Sequence, residues 1–202
     1  MQSTQIGSNI SSKAKIPCGV PQGSVLGPLL FLIYVNDVHR SSKKLSFYLF
    51  ADDTNLLYAD KSLKTVEDTF NVELMKLNEW LTSNKLTLNV KKSNYVIFHP
   101  YQKKIDHKVN IVMFDSDSKL FKPLEEKKYL KYLGVIIDSN LSWKYRIGHI
   151  ISSKRSRTIV NYIARIRHHV PTNTLLTIYR SLILPYLYFG LSVWGQAALA
   201  VF

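Results

Sequence analysis

Residues 45–59 read LSFYLFADDTNLLYA, two short apolar runs (45–50 and 55–59) on either side of Ala51-Asp52-Asp53-Thr54. Runs of this length and composition, interrupted by a polar tetrapeptide, predict a β-hairpin with two carboxylates at its tip. Carboxylates this close raise each other's pKa unless something positive sits beside them. A divalent cation removes the repulsion. Mg²⁺ in particular is held by one or two carboxylates and completed by substrate phosphates, as in phosphoryl-transfer sites. A solvated turn is the plain alternative, since Asp is a common turn residue.

Working outward, Leu63, Val66, Phe70, Leu74, Leu77 and Leu81 recur every three or four residues, which predicts an amphipathic helix ending near Asn84. Upstream, residues 16–28 (IPCGVPQGSVLGP) form a Gly- and Pro-rich loop feeding a buried helix, LLFLIYVNDV, capped by Ser24 and with Pro28 in its first turn. Downstream, Leu86, Leu88 and Val90 alternate as a strand edge or extended loop. Lys91-Lys92-Ser93 turns, and Tyr95 to Phe98 is expected as a buried strand. Residues 109–114, an Asp-Ser-Asp-Ser turn and residues 129–138 look like hairpin strands. From Trp143 to His169 one long helix is expected, with Ile147, Ile150 and Ile151 at one end, Val160, Ile163 and Ile166 at the other, and the basic run Lys154-Arg155-Ser156-Arg157 between them. Another helix starts at Pro171-Thr172 and is expected to kink at Pro185. The chain thus reads as α+β, one continuous unit with a break near residue 140.

The chain has 202 residues, 46% of them hydrophobic, enough to bury a core and far from a disordered composition. One cysteine, Cys18, excludes an internal disulfide and a four-cysteine zinc site, and points to a reducing compartment. The six histidines fit no zinc spacing. The N-terminal stretch lacks the apolar core of a signal peptide, so an intracellular protein, nuclear or cytoplasmic and not secreted, is expected. Residues 182–202 carry no charge over a length that could span a bilayer, but Pro185, Gly190, Gly195 and Gln196 argue against an anchor and membrane insertion is not expected. The net charge of +13 is unevenly placed: residues 141–202 hold eight Lys/Arg and no Asp or Glu. A solvated basic helix normally includes Glu for i,i+4 pairing. A basic tract without acids is instead the footprint of a polyanion partner.

The segments GVPQGSVLGPLLFLIYVNDV, FADDTNLL, LTLNVKKSNYVIF, KYLGVIID and LSW, in this order, resemble the reverse transcriptases of non-LTR retrotransposons, especially jockey-like elements. The resemblance runs from about Ile16 to Gly195. It implies a polymerase palm, an antiparallel sheet with helices, over residues 1–140 with a remnant of the fingers, and a helical thumb-like region over 141–202. The implied activity is RNA-directed DNA polymerisation with Mg²⁺ or Mn²⁺, taking an RNA template, a DNA primer and deoxynucleoside triphosphates as partners. Carried over residue by residue, Asp52 and Asp53 would hold catalytic metal, with small Ala51 leaving room for a primer end. Pro21, Gln22, Gly23 and Ser24 would lie under the incoming nucleotide, where glycine permits close backbone approach. Lys92, with Lys91 as the fallback, would sit near the triphosphate. Leu133 and Gly134 would contact the primer. Lys154, Arg155 and Arg157 are the expected contacts to nucleic-acid backbone.

The family also places a metal-binding Asp on a palm strand upstream of the GVPQG segment, and the fifteen residues before Ile16 contain no acid. The expectation is therefore a fragment whose missing N-terminal part, elsewhere in the element's polymerase, supplies that carboxylate. The alternative is a catalytically incomplete nucleic-acid-binding remnant.

Overall fold

The computed structural model describes residues 1, 3–15, 19, 23–103, 105 and 107–195, with the backbone alone at 155 and 156. In chain order the elements are β1 (Gln5–Ile6), β2 (Asn9–Ile10), α1 (Gly27–Val35), a 3-10 turn (Val38–Ser41), β3 (Ser46–Phe50), β4 (Asp53–Leu57) and α2 (Leu63–Ser83). A second 3-10 turn (Val90–Lys92) follows, then β5 (Asn94–Tyr95), β6 (Val112–Asp115), β7 (Leu120–Pro123), β8 (Glu125–Glu126), β9 (Tyr129–Tyr132) and β10 (Val135–Asp138). The chain closes with α3 (Lys144–Ser152), α4 (Lys154–Ile166), α5 (Thr172–Leu182), α6 (Leu184–Tyr188) and α7 (Leu191–Trp194). This is a mixed helix and strand architecture, compatible with the α+β reading. The strands pair two by two: β1 with β2, β3 with β4, β6 with β7 and β9 with β10 as neighbours in sequence, and β5 with β8 in parallel.

Two compact units interleave along the chain: Met1–Leu88 with Ile111–Phe121, and Asn89–Asn110 with Lys122–Phe202. In the first, α2 is the organising helix, and the predicted periodicity and end are borne out. Ser62 caps it by accepting from the Thr65 N–H at 3.4 Å, and Leu74, Leu77 and Leu81 are buried on one face. Val35, Val38, Leu45, Ile111 and Met113 complete that core. The Asn71 side-chain oxygen accepts from the Val112 N–H at 2.9 Å, tying β6 to α2. Glu73 is buried on the same helix and accepts from Lys76 at 2.7 Å. In the second unit, Val90, Val109, Ile150 and Ile183 are the buried apolar residues.

Four expectations need correction. The helix after the Gly/Pro loop forms, but only Gly27 and Val35 of α1 are buried, and Leu29, Leu30, Leu32 and Ile33 are exposed. A helix apolar at nearly every position has more hydrophobic surface than one packing face can cover. Ser24 does not cap it with its side chain: Leu26 is the capping position, and the Ser24 carbonyl accepts from Gly27 N–H instead. The strand expected over residues 95–98 is only Asn94–Tyr95, because beyond it the backbone is tied individually, His99 N–H to the Ser139 carbonyl and the Asn140 amide to the His99 carbonyl.

The expected long helix over residues 143–169 is two helices. Ser153, at ψ 119°, interrupts the ladder between α3 and α4 and leaves its carbonyl to accept from Arg157 N–H. Ser disfavours helix interiors because it competes for backbone bonds, and here two stand in succession. Of the apolar ends assigned to that helix, Ile150 is buried whereas Ile151 and Val160 are exposed. Pro185 separates α5 from α6, sitting in the first turn of α6 where its missing N–H costs nothing. Among the described residues no helix is long and apolar enough to cross a membrane.

Candidate active site and nucleic-acid interface

The β3–β4 hairpin pairs in antiparallel register from Ser46 with Leu57 to Phe50 with Asp53. The turn is therefore two residues, Ala51 and Asp52, and Asp53 opens β4 instead of belonging to a four-residue tip. Ala51 occupies the left-handed region at φ 52°, as the first residue of a tight hairpin turn often must. Both carboxylates are exposed at the tip. They are exposed, hard oxygen donors, the chemistry that divalent cations such as Mg²⁺ take as ligands. Among the described residues no group of three or more His, Cys, Asp and Glu could enclose a metal. A cavity of about 230 Å³ lies between α2 and β6, lined by Leu74, Met75, Val112, Phe114 and Phe121, and neither carboxylate lines it.

Of the nucleotide loop, Pro21 and Gln22 lie outside the described residues. Gly23 has φ 84° and open space where a side chain would stand, and Ser24 is half-buried just before α1. Lys92 belongs to the second unit and ends the 3-10 turn with its side chain exposed. Its N–H donates to the Asn89 carbonyl at 3.0 Å and to the Asn89 side-chain oxygen at 3.2 Å, an Asx cap that fixes the turn.

The β9–β10 hairpin has Tyr132 paired with Val135, so Leu133 and Gly134 form its two-residue turn, with φ values of 45° and 86°. Positive φ at both positions is what the commonest tight hairpin turn requires. Tyr129 and Lys131 lie on the exposed face of β9, and Leu133 in the turn is exposed as well. Asp138, which ends β10, is buried: its carboxylate accepts from Ser142 N–H at 2.9 Å, Ser142 hydroxyl at 2.8 Å and Trp143 N–H at 2.8 Å. Burial pushes its pKa up, but these donors outweigh burial and hold it below the ordinary carboxyl value. It thereby organises the loop that enters α3. The sequence Asp-x-x-x-Ser-Trp carries this signal, a carboxylate within reach of two following amides, although Asp138 belongs to no catalytic pair or metal-ligand spacing.

On α4, Lys154 and Arg157 are exposed; the Arg155 side chain is not among those described. Arg146, one of the eight basic residues of the acid-free tract, is buried against two backbone carbonyls. Nothing in its sequence neighbourhood separates it from the solvated lysines and arginines around it.

The profile of the reverse transcriptase (RNA-dependent DNA polymerase) family matches residues 3–137, and the chain belongs to that family. Its relatives are polymerases of mobile elements, in keeping with the resemblance to non-LTR retrotransposons. The chain is 28% identical over 195 residues to a probable RNA-directed DNA polymerase from transposon X-element of Drosophila melanogaster, covering 94% of this chain and 20% of that protein. It is 26% identical over 196 residues to the RNA-directed DNA polymerase from mobile element jockey of the same species, and 28% identical to that of Drosophila funebris, each match covering 93% of this chain and 20% of the relative. The chain thus spans about a fifth of the length of the curated relatives it matches. No solved structure matches it.

Proposed function

We propose that this chain is the palm and thumb portion of an RNA-directed DNA polymerase, palm-like with a remnant of the fingers over residues 1–140 and thumb-like over 141–202. The supporting observation is the tight β3–β4 hairpin that presents Asp52 and Asp53 together at an exposed tip, in a chain of this family.

In this reading Asp52 and Asp53 hold Mg²⁺ or Mn²⁺ from one side. When bound, the metal supplies positive charge for the attacking and departing oxygens of nucleotidyl transfer. The chain's own residues position the reactants. Ala51 keeps the tip small enough for a primer end to approach. Pro21 to Ser24 underlie the incoming deoxynucleoside triphosphate, with Gly23 exposing bare backbone. Lys92 offers a point positive charge to the triphosphate. Leu133 and Gly134 meet the primer backbone, while Lys154, Arg155 and Arg157 neutralise phosphates of the primer and RNA template. A site of two metals needs carboxylates on more than one side. That requirement assigns the opposing ligand to the rest of a longer polymerase.

Paramagnetic broadening by Mn²⁺ tests the metal reading directly. Titration with deoxynucleoside triphosphate present should broaden the amide signals of Phe50 to Thr54 first, and Asp52→Asn should abolish the effect. Unbroadened signals there would remove the site. Primer extension on an RNA template tests the division of labour, since the 202-residue chain should extend no primer on its own. Incorporation that disappears in Asp52→Ala would mean that the remaining ligand lies within these residues.

A further inference from the structure

Arg146 of α3 is only 2% exposed, and a buried guanidinium is costly unless its donors are engaged. Its two terminal nitrogens are engaged by backbone carbonyls, while Nε is buried without a hydrogen-bond partner among the described residues. Nη1 donates to the Gly134 carbonyl at 3.2 Å and Nη2 to the Phe189 carbonyl at 3.0 Å, and the guanidinium carbon lies 5.7 Å from the centre of the Trp194 ring. Asp138, on the adjoining strand, already receives three donors from Ser142 and Trp143. Gly134 is the second residue of the β9–β10 turn, and Phe189 joins α6 to α7. The two segments also interlock sterically. A Cβ on Gly134 would stand 2.8 Å from Phe189 Cε1, and one on Gly190 would stand 2.8 Å from Val135 Cγ2. The Phe189 carbonyl takes a second donor, Trp194 Nε1, at 2.9 Å.

We propose that Arg146 is a positioning residue for the Leu133–Gly134 turn, clamping it to the Phe189–Gly190 junction so that turn and junction hold one geometry. The role rests on the reading of that turn as a primer contact. A primer terminus must be held to within a fraction of an ångström for in-line attack, and the guanidinium adds a polar tie to a turn that the Phe189–Gly190 junction already meets sterically. The planar fork of arginine spans two carbonyls at once. Lysine, a single point of charge, reaches one. Because carbonyls instead of a carboxylate receive the guanidinium, no acid has to lie beside the nucleic acid where it would repel phosphate.

Amide hydrogen exchange on the full chain tests the clamp. In Arg146→Lys, exchange should rise roughly tenfold at Leu133–Val135 and at Gly190–Trp194 together, with α2 unchanged. Trp194→Phe leaves both guanidinium bonds in place and should loosen only Gly190–Trp194. A rise confined to α3 in Arg146→Lys would make the residue ordinary packing and overturn the proposal. Should that variant fail to fold, Gly134→Ala reads the same link from the other side: its methyl meets the Phe189 ring, and unchanged exchange at Gly190–Trp194 would refute the interlock.

A primer–template duplex should protect Leu133–Val135 in the parent chain, and Arg146→Lys should weaken that protection while leaving the salt dependence of binding unaltered. A shallower salt dependence would make Arg146 a phosphate contact and overturn the positioning role. Absence of protection in the parent chain would sink the primer reading of the turn, and with it the positioning role of Arg146, even where the free chain shows the clamp.

Discussion

Asp138 shows how much one side chain can organise. Its carboxylate gathers the Ser142 and Trp143 amides, while Leu141 and Trp143 adopt positive φ values of 53° and 61° in the loop between β10 and α3. Non-glycine residues in that region each cost about 1 kcal/mol or more, and the buried acceptor offsets the strain. Since hydrogen bonding holds the folded-state pKa below the ordinary value, the unfolded chain takes up the proton first as pH falls. The stabilisation is therefore complete above the ordinary carboxyl range, near ~4, and is lost as pH drops through it towards the lower folded value. Urea unfolding of the full chain between about pH 6 and pH 3, with and without Asp138→Asn, should show a steeper acid loss in the parent chain. Parallel curves would mean the carboxylate contributes nothing specific.

At the scale of elements, two of the tight hairpins carry a non-glycine residue at positive φ, Ala51 in the β3–β4 turn and Leu133 in the β9–β10 turn, whereas β1–β2 turns through Gly7 and Ser8 with the glycine at positive φ. Asn tolerates this conformation better than Leu, and Asn-Gly is the preferred pair where both turn residues have positive φ. Leu133→Asn should accordingly raise stability by up to about 1 kcal/mol, read as a higher urea midpoint with unchanged slope. A lower midpoint would mean that the half-exposed leucine contributes more by packing than its backbone costs.

The same elements show what is legible in the sequence. Two apolar runs about a polar break locate the β3–β4 hairpin, and a strict three-to-four spacing locates α2, because those signals are local; the β9–β10 turn falls at Leu133-Gly134, where no polar break marks it, so residues 129–138 read as one strand and not as the hairpin they form. The break at Ser153 is not legible: the apolar positions stop at Ile151 and resume at Ile159, and the two serines and the basic run between them read as the solvated middle of one helix. The exposure of α1 is equally hidden, because an apolar sequence states a demand for burial without stating whether it is met. The place of the Asp pair in a hairpin is legible from the polar break, whereas the burial of Arg146 depends on carbonyls 12 and 43 residues away, those of Gly134 and Phe189.

For the whole molecule, the charge distribution is the property that composition alone predicts. Residues 141–202 contain no acid, and with Arg146 buried the exposed basic side chains described in that tract are Lys144, Lys154, Arg157, Arg165, Arg167 and Arg180. Replacing Lys154, Arg155 and Arg157 by Ala should flatten the salt dependence of primer–template binding by up to ~2–3 in log–log slope. Titrations at several ionic strengths measure it, and an unchanged slope would reduce these residues to a solvated face.

The interleaving of the two units has a consequence during synthesis. The first unit is complete only when Ile111–Phe121 joins it, yet residues 89–110, which precede that segment, belong to the other unit. Chains emerge from the ribosome at ~5–20 residues per second, so α2 waits on the order of seconds for the strand that Asn71 will fix to it. Throughout that interval the part of α2 that β6 will cover lacks its cover, an apolar surface of the kind that nascent-chain chaperones shield.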